Sequence, residues 1–226
     1  MDDPALPAAE HDHALAGLAR LNAWSRSHWI LWRGIERHAR EVNAEGRSLR
    51  VLDIAAGSGD GPIAMARHAA RLGLRIEWTL CDASAHALSV ASSRASAAGV
   101  RVGTVVADAI AHPLPVEADL ATCSLFIHHC ERDEAVAVMR HMRAAATRAV
   151  GITDLDRTRT GLALAWLGSR VLSRSGVVHF DATASVRAAF SRREAVELAE
   201  AAGMAGPSTQ VERVVPERWR LWWRRA

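Results

Sequence analysis

Lysine and tyrosine are absent from this chain, and all 28 basic side chains are arginine. A phosphate-binding P-loop needs its lysine, so that class of nucleotide hydrolase is excluded. An enzyme built on a pyridoxal Schiff base is excluded for the same reason. Any general base must be His, Asp, Glu or Cys. Cysteine is scarce: Cys81, Cys123 and Cys130 are an odd set without CxxC spacing, which fits reduced thiols better than a disulfide frame or zinc site. No apolar run approaches ~20 residues, so no membrane-spanning helix is expected. The opening Met1-Asp2-Asp3-Pro4 is acidic and is not followed by the apolar run of a secretory signal, so a cytoplasmic location is expected. A long surplus of one charge is also lacking. The net charge is +3 with a pI near 9.3, and arginines are interspersed with 25 acids. The densest basic cluster, Arg213 to Arg225, reads as a solvated surface rather than a nucleic-acid track.

What is present suits one globular domain: half of the 226 residues are apolar and 23% are charged. Residues 9–45 read as two helices, with Leu15, Leu18 and Leu21 at helical spacing, then Trp24, Trp29 and Trp32. Strand and helix patterns then alternate. Strands are predicted over 49–54, 75–81, 101–107, 119–125 and 149–154, with helices over 61–72, 85–98 and 133–146. That alternation predicts a parallel sheet flanked by helices, with ligands beyond the carboxyl ends of the strands. A helix follows over 160–172, an irregular stretch over 173–189, and a capped helix over 191–203, where Ser191 and Glu194 form a capping box. Two final strands, 211–215 and 219–223, flank Pro216. The run Trp219 to Arg225 reads as an amphipathic strand rather than a membrane-interface anchor.

The first strand enters Asp53-Ile54-Ala55-Ala56-Gly57-Ser58-Gly59-Asp60-Gly61, a small-residue loop that opens a helix. Such a loop lets a ligand touch bare backbone at a helix N-terminus. A dinucleotide fingerprint would place the third glycine one residue later. Asp60 would also oppose a pyrophosphate at the positive end of the helix dipole. A nucleoside without phosphate tolerates it. Strand two ends at Asp82-Ala83, where a carboxylate can accept both ribose hydroxyls, as in a NAD site. Strand three ends at Asp108-Ala109, where an acid and an amide can meet adenine. Strand four ends at Cys123-Ser124-Leu125-Phe126, followed by His128 and His129.

These four ordered motifs resemble those of class I S-adenosylmethionine (SAM) methyltransferases. The resemblance implies a Rossmann-like doubly wound α/β fold: a seven-stranded, mostly parallel sheet, an antiparallel last strand and a helical N-terminal lid. It implies SAM as cofactor and S-adenosylhomocysteine as product. It places Asp53, Ala55, Ala56, Gly57 and Gly59 at the methionine part, Asp82 and Ala83 at the ribose, Asp108 and Ala109 at the adenine, and Ser124 beside them. Ala55 departs from the pattern, which has a glycine there. The expected organisation is N-terminal lid helices (1–46), a SAM-binding core (47–156), a substrate lid insertion (157–190), and a C-terminal helix with two strands (191–226).

Methyl transfer needs an aligned nucleophile and a place for its proton. His128 and His129 follow strand four; adjacent residues should point apart, so one is expected to face the pocket. Asp154, at the end of strand five, can orient such a histidine or accept a substrate hydroxyl. Arg157 can pair with Asp154 or meet a substrate anion. Four contiguous ligands rarely converge on one ion, so no metal is expected at His128 to Glu131. The run Thr153-Asp154-Leu155-Asp156-Arg157, with His179-Phe180-Asp181 and the stretch Ser185 to Phe190, is similar to bacterial methyltransferases found beside type III polyketide synthases. Asp156 stands where that group has a histidine, so that histidine's role does not carry over. The similarity implies small aromatic or polyketide-derived acceptors. Trp24, Trp29, Trp32, Trp166 and Phe180 are candidate aromatic walls for a hydrophobic acceptor, and His179 is a candidate acid or base, or substrate contact, in the lid. The resulting expectation is O-methylation of a small phenol, enol or quinol. Rival readings are a C-methyltransferase of the quinone-biosynthesis kind, an RNA methyltransferase and an inactive SAM-binding protein. No integral membrane association is expected, and a homodimer is left open.

Overall fold

The computed structural model describes residues 29–173 and 175–225. The first predicted helix, with Leu15, Leu18, Leu21 and Trp24, lies outside the described residues. The chain then runs α1 (Trp29–Ala44), β1 (Leu49–Ile54), α2 (Asp60–Arg71), β2 (Ile76–Asp82), α3 (Ala85–Ala97), β3 (Val102–Val106) and β4 (Ala118–Ser124). A 3-10 turn (Ile127–His129) leads into α4 (Arg132–Ala145) and β5 (Ala146–Leu155). Helices α5 (Arg159–Leu172), α6 (Gly176–Ala188) and α7 (Arg192–Ala201) follow, then β6 (Thr209–Val214) and β7 (Arg218–Arg224).

The seven strands form one sheet in the order β3-β2-β1-β4-β5-β7-β6. β7 runs antiparallel to both of its neighbours and the other pairings are parallel. This is the expected Rossmann-like sheet. The strand order reverses between β1 and β4, so a crevice opens beyond their carboxyl ends.

Alternation along the strands supplies a core on each face. Leu52, Ile54, Cys123, Val150, Ile152, Trp219 and Leu221 point to the side covered by α4 and α7. Leu49, Val51, Leu120, Ala149 and Trp222 point to the side covered by α1 and α2. Each fully buried leucine contributes about 1.5–3 kcal/mol, so these two layers dominate stability. The Trp222 ring lies against Gly34 of α1 and Gly151 of β5. A Cβ at Gly34 would come within 2.6 Å of that ring, and one at Gly151 would also overlap it. Two glycines thus make the slot that docks α1 on the sheet.

Ser191 and Glu194 form the reciprocal capping box at the start of α7. The stretch expected to be irregular, 173–189, is largely helical. Ser173, Gly176, Asp181 and Thr183 are poor helix formers. Burial of Val178, Ala182 and Val186 at four-residue spacing, against α5 and the 3-10 turn, overrides that propensity.

Candidate functional site

The carboxyl ends of β3, β2, β1, β4 and β5 stand side by side, so the residues just beyond them share one edge of the sheet. β1 ends in the buried Asp53, which accepts a 2.7 Å hydrogen bond from the Thr122 hydroxyl of β4. Burial pushes the Asp53 carboxyl up to about 7 against the opposing effect of that hydrogen bond. The loop then turns through Ala55 (φ 53°), Gly57 (φ 53°) and Gly59 (φ 74°), all in the left-handed region. Glycine enters that region freely, whereas alanine does so at a cost of about 1–2 kcal/mol. A Cβ on Gly59 would press on Ala91, Leu80 and Ile63 at 3.1–3.2 Å, so this glycine is packed. A Cβ on Gly57 would meet nothing within 4 Å, so bare backbone faces the crevice there.

The loop is anchored from β2. The Ala56 N–H donates to the Cys81 carbonyl at 3.1 Å, and the Gly57 N–H donates to Asp82 Oδ2 at 2.8 Å. The other Asp82 oxygen accepts from the Ser84 N–H at 2.9 Å. Each oxygen keeps a lone pair for a ligand hydroxyl. Ala83 is exposed beside it. After β3, Asp108 Oδ1 accepts from the amides of Ile110 and Ala111 at 2.8 and 3.2 Å. Asp108 Oδ2 takes no bond among the described residues, and the buried Ala109 is held through its carbonyl by His141 Nδ1 at 2.9 Å. Ser124 is half-buried at the end of β4.

β4 leaves the sheet through Leu125, whose φ of 56° is unusual for a branched side chain. The turn that follows brings His128 onto Asp154. His128 Nδ1–H donates to Asp154 Oδ1 at 2.7 Å and its backbone N–H donates to Oδ2 at 3.0 Å. Both residues are buried. A carboxylate accepts only, so this contact puts the ring proton on Nδ1 and leaves Nε2 as an acceptor. The two histidines do not point apart: their ring centroids are 4.1 Å apart, with the ring planes tilted by 37°. His129 is the exposed member of the pair.

Several expected site residues lie elsewhere. Arg157 does not pair with Asp154. It reaches Glu194 at the start of α7, at 2.6 and 2.7 Å, because it sits beyond the strand end and faces α7. Trp29 and Trp32 meet His68 of α2 edge-on, with centroids 5.0 and 4.9 Å away. Trp32 is buried in the α1–α2 core, on the opposite sheet face from His128 and Asp154. His179 donates from Nε2 to the Ser173 carbonyl at 2.8 Å, tying α6 to its own connector. The thiols are excluded as bases, since burial pushes Cys81 up to about 11, Cys130 to about 12 and Cys123 well above its ordinary value. Sequence reading missed Thr122, His141 and Leu125. A threonine inside a strand or a histidine inside a helix carries no local signal of the residue it will meet across the sheet.

Residues 51–148 match the family model of the methyltransferase domain. That stretch, 98 of the 226 residues, is similar to a methyltransferase domain. That segment runs from β1 through the His128 turn to β5 and takes in every candidate cofactor-side residue described above. The methyl donor of such a domain is SAM, and the acid–glycine loop, Asp82 and Asp108 form a cradle that fits a nucleoside without phosphates. Solved methyltransferases share the fold. One is the magnesium protoporphyrin IX methyltransferase of Synechocystis PCC 6803 with bound S-adenosylhomocysteine. It is 16% identical, with 86% of this chain and 83% of that one covered and a TM-score of 0.58. A second is the plantazolicin methyltransferase BamL, bound to a desmethyl analogue and S-adenosylhomocysteine. It is 19% identical over 87% of this chain and 70% of that one, with a TM-score of 0.62. A third, the SAM-dependent methyltransferase SibL, is 23% identical over 91% of this chain with a TM-score of 0.63; the match spans 56% of SibL. A search of curated protein sequences finds no match.

Proposed function

We propose that this methyltransferase transfers the methyl group of SAM to the oxygen of a small hydrophobic phenol, enol or quinol of the polyketide-derived kind. The observation that carries this reading is the His128–Asp154 pair, with Nδ1 held at 2.7 Å by a buried carboxylate. SAM, when bound, supplies an electrophilic methyl carbon on a sulfonium. The chain's own residues do the rest. Asp82 would hold the ribose hydroxyls, Asp108 and Ala109 the adenine, and Asp53 with the Gly57 loop the methionine end. His128 Nε2 would accept the acceptor's hydroxyl proton as the oxygen attacks, and Asp154 would stabilise the imidazolium that forms. Helices α5 and α6 would act as the substrate lid, since α6 packs on the Ile127–His129 turn. The base favours oxygen, because a hydroxyl proton must leave; a C-methyltransferase of an electron-rich ring would need a base only after attack.

A direct test incubates the purified chain with SAM carrying a labelled methyl group and a panel of phenols, pyrones and quinols. Label on oxygen that disappears with His128→Ala supports the reading. Label on ring carbon, or on added RNA alone, overturns it.

A further inference from the structure

We propose that the outward face of α5 and α6 docks on an anionic lipid surface. Large exposed hydrophobic residues are concentrated there. Leu164, Trp166, Leu167, Val171 and Phe180 are 47%, 51%, 54%, 74% and 74% exposed, and they make up half of such side chains among the described residues. On α5 they are ordered: Leu164, Leu167 and Val171 recur at i, i+3 and i+7, forming one stripe opposite the buried Ser169. A contiguous exposed patch of this kind marks an interaction surface.

Charge selects the partner. Arg157 is neutralised by Glu194, but between residues 158 and 190 the sequence still holds Arg159, Arg170, Arg174 and Arg187 against a single acid, Asp181. Arg159 and Arg170 lie together with Trp166 along one side of the apolar stripe on the helical wheel, and the Arg170 guanidinium lies over the Trp166 ring at 4.2 Å. An apolar stripe bordered by arginine and tryptophan is the pattern of a helix lying in the headgroup layer. A second copy of this chain would bring the same positive face against itself. No helix among the described residues is long and apolar enough to cross a membrane, so the contact is interfacial. α6 links this face to the His128 turn, so a hydrophobic acceptor dissolved in lipid would enter beside the site. The docking itself is read without catalysis and does not depend on the proposed acceptor.

The test is flotation of the full chain with phosphatidylcholine vesicles, with and without phosphatidylglycerol. Binding that requires phosphatidylglycerol and weakens with salt is expected. A Leu167→Glu/Val171→Glu variant should bind at least about tenfold more weakly for each apolar anchor lost. Unchanged S-adenosylhomocysteine affinity would show that this variant is folded. Failure of the unmodified chain to float with phosphatidylglycerol vesicles overturns the proposal. So does sedimentation showing a dimer that the variant abolishes, which would make the face an interface between copies.

Discussion

Asp82, the last residue of β2, holds the N–H of Gly57 at 2.8 Å and so clamps the glycine loop of β1 to the neighbouring strand. One carboxylate therefore shapes the loop and, under the proposed function, also meets the ribose. Its replacement should disturb both at once. Asp82→Ala is expected to weaken S-adenosylhomocysteine binding about 10–100-fold, the worth of one or two hydrogen bonds to a charged group. Calorimetric titration reads this directly, and unchanged affinity would refute the ribose role.

Under the proposed function, His128 and Asp154 serve the chemistry and not cofactor binding. His128→Ala should lower kcat about 10²–10⁴-fold and leave S-adenosylhomocysteine affinity intact. Asp154→Asn should act in the same direction. An amide that donates toward Nδ1 would move the ring proton to Nε2, the nitrogen needed as acceptor. Measuring kcat beside the dissociation constant checks both variants; equal losses in the two quantities would point to structural damage instead.

Asp53 should make cofactor binding depend on pH. Its folded carboxyl titrates at about 7, above the unfolded value near 3.9. In the free protein its contribution to stability is therefore full below pH ~4 and is lost as pH rises through about 7. The ligand's ammonium favours the ionised form. Affinity for S-adenosylhomocysteine should thus fall about tenfold for each unit below pH 7. Asp53→Asn should bind weakly with a flat profile. A wild-type affinity constant from pH 5 to 8 would show that Asp53 does not meet the ammonium.

The slot around Trp222 gives the clearest stability prediction. Gly151→Ala and Gly34→Ala each force a methyl into the indole, and overpacking of this kind costs about 1–3 kcal/mol or more. Urea unfolding should show both losses, and Trp222→Phe should relieve part of each in a double-mutant cycle. Ala55→Gly should go the other way. It removes the strain of an alanine at φ 53° and is expected to stabilise by about 0.5–1 kcal/mol net of the added chain entropy.

His38 adds a second pH effect. Burial holds its imidazole below the ordinary value, against the helping Gly34 carbonyl and Glu41, while Arg37 and Arg224 oppose protonation. The unfolded chain then binds the proton more readily, so stability should decline as pH falls below about 6.5. In His38→Leu that part of the decline should vanish in thermal unfolding scans across pH 5–8.

The sequence by itself determined the strand–helix alternation, the glycine loop after β1, the acids at the ends of β2 and β3, and the capping box at Ser191. These are local: a period, a turn or a cap is set by residues a few positions apart. The tertiary structure decided which side chains meet. His128 finds Asp154 because β4 and β5 are neighbours, and Thr122 finds Asp53 because β1 and β4 pair in that register. Arg157 turned to Glu194, the two tryptophans of α1 turned to His68, and the weak helix-forming stretch before Phe190 became α6. Each of those outcomes depends on contacts between residues remote in the chain, where burial and charge pairing outweigh local preference.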